Sequence, residues 1–234
     1  MPTHSMFGKS HVGRTHADNQ DEVLARQISR METPRDIHLI GVADGISRSP
    51  FGGSVARWIM RKHLDCDAVF PTGLNNIGTQ FATFVRGLHA QFLREFEGVP
   101  DMLASGASLS LACLWEDVAI CGWAGDCPVF LSVPQERKLT TTQVSLPDIA
   151  RVSHDLTDCF GANSPFNFKV KELAVPHGGI LTIASDGAQS DAFTLNDLYQ
   201  KNASNLACLQ TVIDAARKYP TCDDVSIVAC KREL

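Results

Sequence analysis

Short apolar runs alternate with turn-forming clusters along the whole chain, and their periods predict a mixture of strands and helices. Between Asp36 and Ala43 the apolar run IHLIGVA is of strand length and reads as a buried strand. Ser49-Pro50 then marks a helix start, because proline suits the first helical position. Val55, Ile59, Met60 and Leu64 fall on one face of the segment that follows. A longer helix is predicted from about Leu74 to Phe96, where Leu74, Ile77, Phe81, Phe84, Leu88, Phe92 and Phe96 recur at steps of three and four. A phenylalanine-rich stripe of this period reads as core packing rather than as a cofactor-binding surface.

Three strand-like runs come next, Ala107–Trp115, Val118–Trp123 and Cys127–Val133, separated by Glu116-Asp117 and Gly125-Asp126. They predict an antiparallel meander. Residues 134 to 165 are mostly polar and weakly periodic, and predict irregular chain or one short helix. Strands resume at Phe168–Val175 and Ile180–Ala184. A short helix is expected near Leu195–Tyr199, and a longer one carries Leu206, Leu209, Ile213 and Ala216 on its apolar face. Val225–Cys230 is the last strand. Helices in two sequential pairs between blocks of strands favour an α+β fold over a doubly wound parallel sheet. With strands enough for two sheets, the expected architecture is a four-layer helix–sheet–sheet–helix sandwich of two mostly antiparallel sheets. No repeat, low-complexity tract or linker divides the chain, so residues 1–234 are expected to form a single domain.

Composition narrows the class. At 44% hydrophobic and 20% charged, a 234-residue chain buries a core large enough to fold without disulfides or a structural metal. A net charge of −5 argues against a nucleic-acid partner, which needs a basic face. The eight cysteines form no C-x-x-C pair and have no matching histidine spacing, so they read as reduced thiols rather than a disulfide or zinc framework. MPTHSMFGKSH contains no apolar signal-peptide region, and no segment approaches the ~20 apolar residues needed to cross a bilayer. KREL reads as a charged tail. The expectation is a cytoplasmic protein with no membrane partner.

The candidate chemistry lies at the ends of the apolar runs. Asp44 closes IHLIGVAD, Asp126 closes VAICGWAGD, Asp186 closes GGILTIASD, and Asp223-Asp224 opens DDVSIVAC. Carboxylates at strand ends sit on rigid backbone with their tips within reach of solvent. Several brought together repel unless a cation or proton intervenes, and oxygen-rich clusters suit hard ions such as Mg²⁺ or Mn²⁺. The pattern points to metal-assisted chemistry.

In order along nearly the whole chain, these motifs resemble the metal-dependent protein phosphatases, the PPM or type 2C group, in their compact bacterial form. GRTHADNQDEVL is similar to the family's Arg/His-x-x-Asn-Glu/Gln-Asp strand, and VADGISRSPFGGSVAR to its Asp-Gly metal turn and following helix. SGASLSLACL with GWAGDCPVFL resembles the Gly-Thr/Ala-Ser strand and Gly-Asp-Ser turn. LTDCFGA looks like the segment before the last sheet strands, and GILTIASDGAQSD and DDVSIVAC resemble the Ser-Asp-Gly and Asp-Asn metal motifs. The resemblance implies a phosphoserine/phosphothreonine protein phosphatase using two Mn²⁺ or Mg²⁺ ions, with a weaker third ion as a further option. It implies that Asp44 bridges both ions and that Gly45 offers a carbonyl. Asp186 and Asp223 would complete the first ion's sphere, and Asp21 would lie nearby as a direct or water-mediated ligand. Asp126 matches the residue of the weaker outer site. The implied partner is a phosphorylated protein, a Ser/Thr kinase or its target.

The chain departs from that pattern at several positions. His16 stands where many members carry a phosphate-gripping arginine, and is read either as a phosphate contact or as a structural histidine. Arg14, two residues earlier, is an alternative phosphate contact, and alternation along a strand would keep it on the same face. Gln20 replaces a common glutamate. Asp224 occupies the usual asparagine position and is read as a strand-entry carboxylate, the alternative being that Asp224 rather than Asp223 is the ligand. Arg48 reads as a phosphate contact or a solvated charge. Ser190 stands where a further acid is usual, with Asp191 one step on. Cys127 follows Gly125-Asp126 with no base at a recognisable spacing, which predicts a packed thiol. Two rivals follow. One is a pseudophosphatase of the same fold that binds phosphoproteins. The other is an Asp-nucleophile hydrolase of the haloacid-dehalogenase type, which expects a second Asp two residues from the first, where this chain has Val42 and Ile46.

Overall fold

The computed structural model describes residues 4–28, 36–63, 76–136, 138–150, 155–161, 166–188, 192–202, 204–218 and 223–233. Leu64 and Leu74, expected on helix faces, lie outside the described residues, as do Ser190 and Asp191.

The strands are β1 (His4–His11), β2 (Asp21–Ile28), β3 (Ile37–Gly45), β4 (Ala107–Trp115), β5 (Val118–Ala124), β6 (Val129–Gln135), β7 (Lys138–Gln143), β8 (Lys169–Ala174), β9 (Ile180–Ala184) and β10 (Val225–Arg232). The helices are α1 (Gly52–His63), α2 (Ile77–Glu95), α3 (Pro100–Leu103), α4 (Ala192–Lys201) and α5 (Gln210–Lys218). One antiparallel sheet runs β1-β10-β9-β6-β7 and the other β2-β3-β4-β5-β8.

Three layers of apolar side chains hold these elements in the expected helix–sheet–sheet–helix order. Leu24, Leu39 and Leu109 of the second sheet pack against Val55 and Ile59 of α1 and Phe81 and Phe92 of α2. Ile180 and Ile227 of the first sheet pack against Leu195 and Tyr199 of α4 and Ile213 of α5. Between the sheets lie Ile40, Val42, Ala112, Cys121, Val129, Ile183 and Val228. The phenylalanine stripe is core, with Phe92 meeting Trp58 edge-on at 5.2 Å.

Three expectations are corrected. First, β1 and β7 were not signalled by HSMFGKSH or KLTTTQ. Both are edge strands, and edges tolerate polar, half-buried sequence because only one side is paired. β7 therefore replaces the start of the stretch expected to be irregular, and a bridge between Ile149 and Leu156 orders part of the rest. Second, the meander stops after β5. β6 pairs with β9 and β7, so the chain crosses from one sheet to the other at Gly125-Asp126. The crossing puts Cys127 and Val129 into the inter-sheet core. Third, the apolar stripe from Leu206 to Ala216 begins as a 3-10 turn, Leu206–Leu209, and becomes α5 only from Gln210.

Candidate metal centre

Strand parity decides which carboxylates meet. On β3, Leu39 and Ala43 face the helices while Ile40 and Val42 face the other sheet, so Asp44 continues the inter-sheet row. β2 pairs antiparallel with β3 in the register that sets Asp21 opposite Asp44 and Val23 opposite Val42. Val23 packs on the inter-sheet core, and Asp21 shares its face. The first sheet supplies the facing wall. Asp186 follows β9 and Asp223 precedes β10, and these two strands are neighbours. Asp126 lies in the crossing from β5 to β6. Carboxylates distant in sequence thus gather at one end of the sandwich.

Their electrostatics are those of a site short of positive charge. Like charges directly opposite on adjacent strands are destabilising. Asp21 is 4% exposed, and neither of its carboxylate oxygens has a hydrogen-bond donor. Burial pushes its carboxyl up to about 7, with Asp224 and Asp223 adding to the shift. The neighbouring hydroxyls of Ser226 and Ser185 act against this, but they donate elsewhere, to Ser10 Oγ at 2.7 Å and to the Asp224 carbonyl at 3.4 Å. Burial, then the charges of Asp21, Asp186, Asp126 and Asp223, drives Asp44 well above the ordinary carboxylate range. Asp126 and Asp223 are also raised by burial, and next among the raising causes by Asp186. Among the described residues no lysine or arginine pairs with Asp21, Asp44, Asp126 or Asp186. An all-oxygen donor set with two buried oxygens lacking donors fits hard divalent cations such as Mg²⁺ or Mn²⁺.

Gly45 lets the site close. Its N–H donates to the Gln20 carbonyl at 3.2 Å, tying the end of β3 to the residue before Asp21. A Cβ at Gly45 would lie 2.4 Å from the Gly52 carbonyl carbon and 2.5 Å from the Gly53 nitrogen. Only glycine allows the start of α1 to come this near.

His16 is not on a strand. Residues 12–20 form the loop between β1 and β2, and Arg14 is exposed within it, so the shared-face argument for Arg14 does not apply. His16 Nδ1 lies 3.1 Å from Asp224 Oδ2 and 3.8 Å from Asp223 Oδ1. The adjacent acids have separate surroundings. The Asp223 side chain is 41% exposed, whereas that of Asp224 is 1% exposed and fully hydrogen-bonded. Arg48 is solvated, its side chain 90% exposed and 3.6 Å from Asp155. Cys127 is buried, and burial with the nearby Asp44 charge raises its thiol well above the ordinary value, so it is packed rather than nucleophilic.

Ser108 was missed. It pairs with Asp44 across β3 and β4, and its hydroxyl accepts from the backbone N–H of Asp126 at 2.9 Å and of Cys127 at 3.0 Å. The available signal was Ser108 and Ser110 alternating on a strand that is otherwise wholly apolar and buried.

No protein-family model and no curated protein matches this chain. Solved structures do. The serine/threonine phosphatase PstP/Ppp of Mycobacterium tuberculosis is 16% identical, with all of both chains covered and a TM-score of 0.79. A catalytic domain of PstP in complex with 2 manganese ions is 17% identical, again with full coverage of both chains and a TM-score of 0.81. PppA, a regulatory component of the T6SS in Pseudomonas aeruginosa, is 18% identical over 98% of this chain and 97% of its own, with a TM-score of 0.75. The chain has the fold of these three proteins, and the two PstP structures among them are serine/threonine phosphatases.

Proposed function

We propose that the protein belongs to the metal-dependent protein phosphatases and hydrolyses phosphoserine and phosphothreonine esters of proteins. Residues 1–234 act together as one catalytic domain. The observation that carries this reading is the Asp21–Asp44 pair, a buried carboxylate set directly opposite a half-buried one, with both Asp21 oxygens lacking donors. Asp44 would hold two Mn²⁺ or Mg²⁺ ions between the sheets, with the Gly45 carbonyl, Asp186, Asp223 and Asp21 completing their surroundings and Asp126 serving an outer, weaker site. When bound, such a pair supplies an activated water and positive charge for the phosphoryl oxygens. The chain's own residues do the rest. The strand ends hold the carboxylates rigid, Ser108 holds the crossing that carries Asp126, and His16 contacts the phosphoryl group beside Asp223. Water attacks directly, so no phosphoenzyme forms, and Cys127 takes no part. The substrate is a phosphorylated protein, a Ser/Thr kinase or a target of one, and six described cysteines present as buried thiols fit a reducing, cytoplasmic setting.

The test is Mn²⁺-dependent release of phosphate from a phosphothreonine peptide by wild type, Asp44→Ala and Asp186→Ala. Wild type as inert as the variants refutes the enzyme reading and, if it still binds the phosphopeptide, leaves a phosphoprotein-binding module. Turnover that survives Asp44→Ala refutes the site assignment.

A further inference from the structure

Asp224 is buried beside the carboxylate cluster, yet its surroundings are unlike those of the other acids. Its Oδ1 accepts from the Gly13 N–H at 2.6 Å. Its Oδ2 accepts from the Gln20 N–H at 2.7 Å and lies 3.1 Å from His16 Nδ1. Backbone N–H groups only donate, so both oxygens are acceptors, and the third bond takes its hydrogen from Nδ1. One side chain thus gathers residues 13, 16 and 20 of the β1–β2 loop. Gly13 is required for this, because a Cβ there would sit 2.3 Å from the Asp223 carbonyl oxygen.

The arrangement fixes more than the loop's path. With Nδ1–H committed to Asp224, Nε2 is the ring atom left for a ligand. The ring adjoins the cluster through Asp223 at 3.8 Å, and its side chain is 9% exposed, so it has little room to turn. An aspartate is needed for the full set of bonds, because an asparagine in the same pose turns an amide NH₂ toward at least one N–H donor. His16, Asp223 and Asp224 are also near enough together to suggest a metal site. Asp224 already has both oxygens engaged by the loop, which favours a hydrogen-bonded pair over a third carboxylate ligand.

We propose that Asp224 is a positioning residue that holds His16 by its Nδ1–H and presents Nε2 to the substrate's phosphoryl group. This rests on the phosphatase reading above for its substrate, but not for its geometry. The test is a double-mutant cycle of His16→Ala and Asp224→Asn, followed by kcat and KM on a phosphothreonine peptide in Mn²⁺, with thermal melts of each protein. Asp224→Asn is expected to lower kcat/KM about fivefold more when His16 is present than in the His16→Ala background, where only the broken loop bond to Gly13 or Gln20 remains. An equal loss in both backgrounds overturns the proposal, since Asp224 would then act through the loop backbone alone.

A second measurement does not depend on turnover. Long-range ¹⁵N–¹H spectra of histidine-labelled, Mg²⁺-loaded protein, assigned with His16→Ala, should find Nδ1 of His16 protonated. A bare Nδ1 overturns the proposal even in an active enzyme. If the wild type hydrolyses nothing yet keeps Nδ1 protonated, and binds inorganic phosphate in a manner weakened by Asp224→Asn, the phosphatase reading fails while the positioning role stands.

Discussion

Removing one buried charge tests the electrostatic reading directly, and Asp21→Asn is the change to make. Asp21 carries a carboxyl whose ordinary value of 3.8 is pushed to about 7 in the folded, metal-free chain. Between those values the folded state keeps a proton that the unfolded chain has released, so stability falls as pH rises from about 4 to about 7 and the deficit is complete above it. At about 1.4 kcal/mol per pH unit, the shift amounts to about 4 kcal/mol at most. Relaxation and water entry reduce this to about 2 kcal/mol, or roughly 4–8 °C in Tm for a chain of this size. His38 contributes with the opposite sign, because burial lowers it from 6.5 to about 4 and its stabilising effect grows as pH rises through that window. The difference between variant and wild type is therefore the quantity to follow. Melts in EDTA should find Asp21→Asn more stable than wild type at pH 8 and equal to it near pH 4. In saturating Mn²⁺ the order should reverse, because the cation offsets the charge only where the carboxylate remains. A variant no more stable than wild type at pH 8 in EDTA would refute the argument that Asp21 is an uncompensated buried charge.

Two further changes probe the scaffold. Gly45→Ala should destabilise the protein by about 2–3 kcal/mol and abolish the Mn²⁺-induced rise in Tm, because its Cβ would overlap the Gly52 carbonyl carbon at 2.4 Å; calorimetry with and without Mn²⁺ checks both. Tyr199→Phe leaves the buried Thr182 hydroxyl without its 2.7 Å partner and should cost about 1–3 kcal/mol, while Tyr199→Phe with Thr182→Val should recover most of that loss in urea titrations.

How much was legible in advance differs by element. The central strands were, because β3, β4, β5, β9 and β10 are buried on both faces and carry nearly continuous apolar sequence. The edge strands β1 and β7 were not, since a strand paired on one side needs little apolar patterning. The meander failed for a different reason. Local turn chemistry predicts that the chain reverses at Gly125-Asp126, but which strand the next run joins is settled by register with β9, a partner about fifty residues away.

The inventory was readable along the chain: apolar runs of strand and helix period with aspartates at their ends. These are local properties, written in side-chain type and spacing. Which acids meet in space, and what surrounds each, came from the fold. Register sets Asp21 against Asp44, burial leaves their charges without a counter-ion, and neighbouring residues separate Asp223 at the cluster from Asp224 in the loop. Charge repulsion and desolvation depend on distance in space rather than along the chain. Two adjacent aspartates share one local chemistry, and their surroundings become distinct once the β1–β2 loop has folded around Asp224.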